Sequence, residues 1–280
     1  MDYAFCSFSF HRLLAEGKQD IFQYIKDCKD LGACQLDAWN AHLAQIMEAD
    51  KVLKAGDDPE NAELAPADDD YLKRVKDAAV EAGLPWGCIA CDGAHIYEED
   101  EGDRKLNRAI AYRWLDVAEL LGARQVRIDA GGPVDMPDEA YAVIVEGYND
   151  LISRARDKGI EVVTENHWGP TTMPDNIVKL MENIEGLGLL FDTNNWAEGH
   201  QEEGWERCAK YATATHVKTF GFDEDGWDPT VDLKKCIGML VEVGYDDVWG
   251  IESCPREIGE MEGAKKSVEL IRRALAACAK

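Results

Sequence analysis

Four residues in the second half of the chain carry side chains that bind divalent metal ions, and each follows a short apolar run. They are Glu165 after GIEVVT, Asp192 after GLGLLF, His216 after ATAT and Glu252 after DDVWGI. Such runs, rich in Val, Ile, Leu and Thr, are typical of buried strands. Because the carboxyl ends of successive parallel strands share one rim, we expect the four side chains to converge. Three carboxylates and one imidazole suit Mn, with Mg, Co and Zn as alternatives.

The elements that must position these residues repeat along the whole chain. A helix-like stretch ends at Gly, a short apolar run follows, and an acidic residue ends the run, as at Asp37, Asp92 and Asp129. Gly just beyond a helix is the expected left-handed cap. With the opening run YAFCSFSF, eight candidate strands alternate with amphipathic helices. This alternation indicates βα units and a parallel sheet.

The number of βα units predicts one α/β domain. Eight strands with their helices in 280 residues match the size of a single (β/α)8 TIM barrel over 1–280. A polar insertion is predicted near 55–70, after the second strand. A doubly wound open sheet is the main rival, but it binds a ligand at one switch point and not through four successive strands. We therefore expect the barrel.

Composition excludes several classes of partner and compartment. A net charge of −25 argues against a nucleic-acid surface, which needs clustered Lys and Arg. The chain has no run of eighteen apolar residues and no signal-peptide pattern at its start, so we expect no membrane partner. Nine scattered cysteines fit a reducing cytoplasm, and the Cys88–Cys91 pair, inside a predicted strand, is assigned to the core. The residues leave a homo-oligomer open.

The four candidate ligands suggest a specific kind of chemistry. A divalent ion held by them would leave one or two positions for substrate oxygens, and it would act as a Lewis acid on a carbonyl. The enolate formed when a neighbouring carbon loses its proton would then be stabilised. Glu165 and Glu252 lie on strands three apart in order, so they can flank the ion. Each is a candidate catalytic base as well as a ligand, able to move a proton on its own face of the substrate.

Two further polar residues lie close to these ligands in sequence. His167 is two residues after Glu165, so in extended geometry both side chains point to the same side. It is a candidate general acid or base, or a residue that only orients a carboxylate. Lys218, two residues after His216, is placed near the site by the same logic. It could hold a substrate oxygen or serve as a structural partner of Glu252.

Aromatic and polar residues near other strand ends could shape a pocket for a small carbohydrate. Trp39, just beyond the second strand, and Trp168, just after His167, are placed where sugar faces stack. Arg127 and Asp129, at the end of the fourth strand, could contact substrate hydroxyls. The AGGPVD segment carries no basic residue, so a phosphorylated substrate is not indicated.

The order and strand-end context of these residues resemble the xylose isomerase-like TIM barrel superfamily. This group contains sugar isomerases and epimerases, inosose dehydratase, 3-dehydroshikimate dehydratase and endonuclease IV. The likeness spans essentially the whole chain and is strongest from GARQVRIDAGG onward. It implies a (β/α)8 barrel whose Glu, Asp, His and Glu metal ligands match Glu165, Asp192, His216 and Glu252.

Two departures from the superfamily patterns bear on the reaction. Ketose 3-epimerases carry a substrate-contacting His three residues after the metal Asp, where this chain has Asn195. The Glu165-Asn166-His167 sequence instead resembles dehydratases and lyases, including subunits that cleave 3-keto C-glycosides. Endonuclease IV needs further His and acidic ligands and a basic groove, which six His residues and the negative charge do not favour.

Three functional hypotheses follow from the residues and the resemblance together. The first is a metal-dependent isomerase or epimerase of a small keto-sugar or polyol-derived ketone. The second is a lyase that shares the enolate but expels a β-hydroxyl or an aglycone. The third is a non-catalytic sugar-binding barrel, which the intact ligand set disfavours. The isomerase is preferred because that activity is the commoner one in the superfamily.

Overall fold

Eight parallel strands form the centre of the molecule in a computed structural model that describes residues 1–44 and 67–278. The strands are β1 (Tyr3–Phe5), β2 (Leu36–Trp39), β3 (Trp86–Cys91), β4 (Gln125–Ile128), β5 (Glu161–Glu165), β6 (Gly188–Asp192), β7 (Ala212–Thr219) and β8 (Trp249–Ser253). Each pairs with its neighbour in the order β1-β8-β7-β6-β5-β4-β3-β2. A parallel bridge between Cys6 and Asp37 joins the two outer strands. The predicted (β/α)8 barrel, a single domain, is therefore confirmed.

A long helix follows each strand and packs outside the barrel. Within the described residues these helices are α1 (Ile21–Leu31), α2 (Asp69–Ala82), α3 (Glu101–Leu121), α4 (Asp138–Arg156), α5 (Pro174–Asn183), α6 (Gln201–Cys208), α7 (Leu233–Glu242) and α8 (Glu260–Cys278). The expected Gly caps occur, for example at Gly122, whose φ of 77° lets its N–H donate to the Ala118 carbonyl. No helix in the described ranges is long and apolar enough to cross a membrane.

The main core lies between the strands and the helices, as burial of one face of each helix requires. Its largest fully buried side chains include Trp114 and Tyr148. Inside the barrel, Cys88 packs with Val163 and Leu190, so Cys88 belongs to the core. The predicted insertion near 55–70 lies mostly outside the described residues. Its last residues begin α2, where the Asp68 side chain accepts a hydrogen bond from the backbone N–H of Tyr71.

Several strands differ in length from the sequence prediction. The expectation that each ligand ends its strand holds for Glu165 and Asp192 but is wrong for His216, because β7 continues to Thr219, and for Glu252, because β8 continues to Ser253. In the same way, β2 continues past Asp37 to Trp39. The extension of β7 pairs Thr219 with Ser253 at the end of β8. The opening run was expected to be one long strand, but β1 stops at Phe5 and a 3-10 helix, Ser7–Phe10, follows it.

The seam where β1 meets β2 depends on a buried tyrosine from α1. The Tyr24 hydroxyl donates to the Phe5 carbonyl at 2.7 Å and accepts from the Asp37 backbone N–H at 3.0 Å. Both partners are buried, so loss of the hydroxyl leaves a carbonyl and an N–H without partners. The side chain thus bridges two strands that share few direct backbone bonds.

We predict that Tyr24→Phe lowers the free energy of unfolding by about 1–3 kcal/mol, the cost of leaving buried polar groups unsatisfied. Chemical denaturation followed by circular dichroism measures this change. Tyr141→Phe is the matched control, because the Tyr141 hydroxyl has no hydrogen-bond partner in the described part of the chain and its ring is only half-buried. Equal stability of the two variants would contradict the bridging role.

Candidate metal centre

The four predicted ligands meet at the carboxyl end of the barrel. One ligand atom from each of Glu165, Asp192, His216 and Glu252 lies within 4.8 Å of the other three, and all four residues are buried. His216 Nδ1 is 3.0 Å from Glu165 Oε1 and 3.2 Å from Glu252 Oε2. Strand register explains the convergence, since Asp192 pairs directly with His216 across β6 and β7. The arrangement brings an imidazole and three carboxylates to one point.

Asp192 is held so that one carboxylate oxygen faces the cluster. Its Oδ1 accepts hydrogen bonds from the backbone N–H groups of Asn194 and Asn195, at 2.6 and 3.0 Å. Its Oδ2 is buried and accepts no hydrogen bond among the described residues. The Lys218 ammonium is 3.7 Å from this oxygen, beyond hydrogen-bonding distance, and a buried carboxylate oxygen so weakly paired is costly unless a closer cation satisfies it. The residues present therefore fit a divalent ion.

Side-chain amides link the strand ends that carry these acids. Asn166 donates to the Asp192 carbonyl at 2.9 Å and accepts from the Asp192 N–H at 2.8 Å, so it joins β5 to β6 beyond their backbone ladder. Asn40 makes the same pair of bonds to Asp92, at 3.0 and 3.2 Å, between β2 and β3. These bonds fix the spacing of the neighbouring side chains.

Burial and contacts between charged groups together raise the pKa values of Asp192 and His216 and lower that of Glu252. Burial raises the pKa of Asp192 to about 6, although the Lys218 ammonium opposes this rise. Burial also disfavours ionised Glu252, but Lys218 and His216 outweigh it and hold the pKa of Glu252 well below its usual range. For His216, burial acts to lower the pKa, yet Cys6 and Glu165 raise it well above normal. A metal ion binding here would displace the imidazole proton.

Lys218 lies beside the ligands, as its position in the sequence predicted. Its ammonium nitrogen is 2.8 Å from Glu252 Oε1 and 3.7 Å from Asp192 Oδ2, and it donates to Asn195 Oδ1 at 3.2 Å. Lys218 therefore forms an ion pair with Glu252, which was one of the two roles predicted for it; contact with a substrate oxygen was the other. The same ammonium also lines the cavity described below.

Arg127 forms a second charged network behind the ligands. The buried guanidinium pairs with Asp92 Oδ1 at 3.0 Å, with Asp129 Oδ2, and through Nε with Glu165 Oε2 at 3.0 Å. Trp39 Nε1 donates to the other Asp92 oxygen at 2.7 Å. Arg127 therefore orients the carboxylate of Glu165, a candidate metal ligand. The guanidinium nitrogens that face Asp92, Asp129 and Glu165 are already paired with these protein carboxylates.

His167 and Trp168 both contact Asp129. His167 Nδ1 is 3.1 Å from Asp129 Oδ2, and Trp168 Nε1 donates to the same oxygen at 3.2 Å. Burial opposes ionisation of Asp129, but Arg127 and His167 lower its pKa to about 2. Burial similarly lowers the pKa of His167, while Asp129 and Glu165 more than compensate and raise it. An ionised Asp129 thus fixes the imidazole through Nδ1 and leaves Nε2 for proton exchange.

A cavity of about 80 Å³ opens onto the cluster. Its walls contain most of the predicted site residues and several that sequence reasoning did not assign; they are Cys6, Phe8, Trp39, Ala90, Asp92, Arg127, Glu165, His167, His216, Lys218 and Glu252. Of the predicted site residues, Asp192, Asp129, Asn195 and Trp168 do not line it. Asp129 contacts the lining residues His167 and Arg127, Asn195 contacts Lys218, and Trp168 contacts Asp129. Asp92 ends a predicted strand as Asp129 does, so that shared pattern could have identified it. No sequence pattern around Phe8 or Cys6 indicated that these residues would line the cavity.

We predict that protein purified with Mn holds about one divalent ion per chain, and that Asp192→Ala or His216→Ala reduces affinity on the order of tenfold or more. Elemental analysis after dialysis measures the occupancy. Glu161→Ala is the matched control, because this carboxylate lies at the opposite end of β5, where it accepts from Gln125. Full retention of metal by the Asp192 and His216 variants would refute the site.

Comparisons with known proteins agree with the fold. Among solved structures, L-ribulose 3-epimerase gives a TM-score of 0.75 at 15% identity, over 100% of this chain and 96% of that one. A zinc-bound IolI protein gives 0.73 at 13% identity, with 99% of both chains covered. The 3-keto-D-glucoside 4-epimerase YcjR from E. coli gives 0.69 at 14% identity, over 91% and 95%. No curated protein matches the sequence.

The family comparison is more direct than these structural likenesses, which at such identities show the fold alone. The family model for xylose isomerase-like TIM barrels matches residues 44–274, well over half of the chain. The match covers β3 to β8 and therefore every candidate metal ligand. The chain belongs to the xylose isomerase-like TIM barrel family.

Proposed function

We propose that the protein is a divalent-metal-dependent isomerase or epimerase of a small keto-sugar or polyol-derived ketone. The observation that carries this proposal is the meeting of three carboxylates and one imidazole beside a cavity whose wall contains Glu165, His216, Glu252 and His167. We propose Mn as the ion, with Mg, Co and Zn as alternatives. Solved barrels of similar fold include epimerases and structures with bound Mg or Zn.

The bound ion would supply Lewis-acid stabilisation of a substrate enolate or enediolate. The protein residues supply the proton transfers. Glu165 and Glu252 reach His216 from β5 and β8, which lie on either side of β6 and β7 in the sheet, so we propose that each serves one face of the substrate. Removal of a proton on one face and its return on the other would invert or relocate a carbon centre.

His167 is the third candidate for proton transfer. It faces the cavity, and Asp129 holds its Nδ1 side. Asp129 is in turn fixed by Arg127, so the chain Arg127–Asp129–His167 orients the free Nε2 nitrogen. A histidine oriented by a buried carboxylate is well suited to general acid–base catalysis.

Charge pairing supports a substrate without a phosphate or carboxylate group. In the part of the chain that the structure describes, Arg127 and Lys218 are the Arg and Lys side chains on the cavity wall, and each already pairs with at least two protein carboxylates. An anionic substrate would need a cation free to receive it. We therefore propose a neutral polyhydroxylated ketone, with Trp39 as the stacking surface.

The second candidate function is a lyase that uses Glu165 and His167. It is favoured by the Glu165-Asn166-His167 sequence and by Asn195 in place of a substrate-contacting His. After proton abstraction, the same His167 would protonate a departing β-hydroxyl or aglycone oxygen. The two functions share their first step and differ in whether the enolate regains a proton or loses a leaving group.

We predict that His167→Ala lowers turnover by roughly two to four orders of magnitude while metal content and folding are retained, as expected for a general acid or base. Steady-state kinetics with metal analysis on the same preparations provide the measurement. His200→Ala is the control, since His200 pairs with Glu203 at the start of α6, away from the cavity. If metal affinity falls ten- to a hundredfold instead, His167 only orients a ligand.

We predict that wild-type protein exchanges solvent deuterium into its keto-sugar substrate, and that Glu165→Gln and Glu252→Gln each block inversion. The reason is that two opposed bases are needed for inversion, whereas one can still support exchange on its own face. Single-turnover NMR in deuterated water, on a panel of keto-sugars and with metal content checked first, makes this measurement. Formation of an unsaturated ketone by wild type would overturn the isomerase in favour of the lyase.

A further inference from the structure

Cys6 is a buried thiol at the edge of the candidate metal centre. It directly follows β1, and its backbone N–H donates to the Ile251 carbonyl of β8 at 2.8 Å. The residue is only 2% exposed, yet it lines the cavity. The thiol therefore faces the place where the reaction would occur.

The thiol shares two partners with the metal ligands. Ligand atoms of Cys6, His216 and Glu252 all lie within 4.8 Å of one another, which forms a second three-residue group joined to the first. Two of the four proposed ligands thus belong to both groups. A metal ion held by His216 and Glu252 would therefore lie within reach of the Cys6 sulfur.

Sulfur changes which ions such a centre prefers. Thiolates favour thiophilic ions such as Zn²⁺, whereas carboxylates and water suit Mn²⁺ and Mg²⁺. We propose that Cys6 is a conditional ligand that binds Zn²⁺ or Co²⁺ together with His216 and Glu252 and stays a neutral wall residue when Mn²⁺ or Mg²⁺ is bound. Binding through Cys6 forms a metal–sulfur bond and releases the thiol proton to solvent.

This ligand exchange has a consequence for the reaction, and the inference rests on the proposed metal-dependent function. An active metal site needs an open position for substrate oxygens. A thiolate bound from the cavity wall would occupy that position. Cys6 would therefore make the zinc-loaded protein less active than the manganese-loaded protein, so the residue determines which ion supports activity.

The test uses cobalt as a spectroscopic probe of sulfur ligation. Cobalt-loaded wild type should show a thiolate-to-Co²⁺ charge-transfer band in the near ultraviolet, and Cys6→Ser should lack it. In competition titrations, Cys6→Ser should also lose at least about tenfold in its preference for Zn²⁺ over Mn²⁺, the lower end of what removal of a metal-site partner costs. In turnover assays, Cys6→Ser should reduce the difference in activity between the zinc-loaded and the manganese-loaded protein.

Cys34→Ser is the matched control. Cys34 lies near the start of β1, where its backbone N–H donates to the Tyr3 carbonyl, and it does not line the cavity, so its loss should leave the band and the metal preference unchanged. A cobalt-loaded wild type without the band, or a band that survives in Cys6→Ser, overturns the inference and leaves the proposed function intact. Absence of cobalt binding by wild type would overturn both.

Discussion

Burial of ionised groups at one end of the barrel is the constraint on which the rest of the site depends. Glu165, Asp192, Glu252, Asp92 and Asp129 are all buried there, and water cannot solvate them. Carboxylates in such a setting must be paired, protonated or bound to a cation. Arg127 and Lys218 pair with several of these oxygens, but Asp192 Oδ2 accepts no hydrogen bond among the described residues and lies 3.7 Å from the Lys218 ammonium. This weakly paired oxygen, at the point where four ligand side chains converge, is the main structural support for proposing a metal.

The same constraint separates the site into two functional halves. The half around Arg127 is the closed one, because the guanidinium contacts the carboxylates of Asp92, Asp129 and Glu165 without any ligand, although Asp129 Oδ1 accepts no hydrogen bond among the described residues. In the half around Asp192, the Lys218 ammonium pairs closely with Glu252 but stays 3.7 Å from Asp192 Oδ2. His167 lies on the boundary, since it contacts Asp129 on the closed side and faces the cavity on the other. Glu165 belongs to both halves, so in the proposed function it would link proton transfer to metal binding.

Much of this could be predicted from sequence because the relevant signals are local. The repeated Gly, apolar run and acid fix the strands and place Glu165 and Asp192 at strand ends. The length of β7 could not be predicted, because pairing of Thr219 with Ser253 depends on a strand thirty residues later. Cys6 was missed for a similar reason. Its role depends on His216 and Glu252, which are distant in sequence, and the short β1 gives no hint of which side chain turns inward.

The amide links made by Asn40 and Asn166 have a consequence for how this barrel can diversify. Each holds two strand ends together below the loops, through both hydrogen bonds of one backbone unit. The positions of Asp92 and Asp192 are thereby set by these bonds between strand ends and not by the loops that follow the strands. Loops above these links can be lengthened, exchanged or grafted without moving the acids beneath them. Substrate range and metal chemistry can therefore evolve as separate modules.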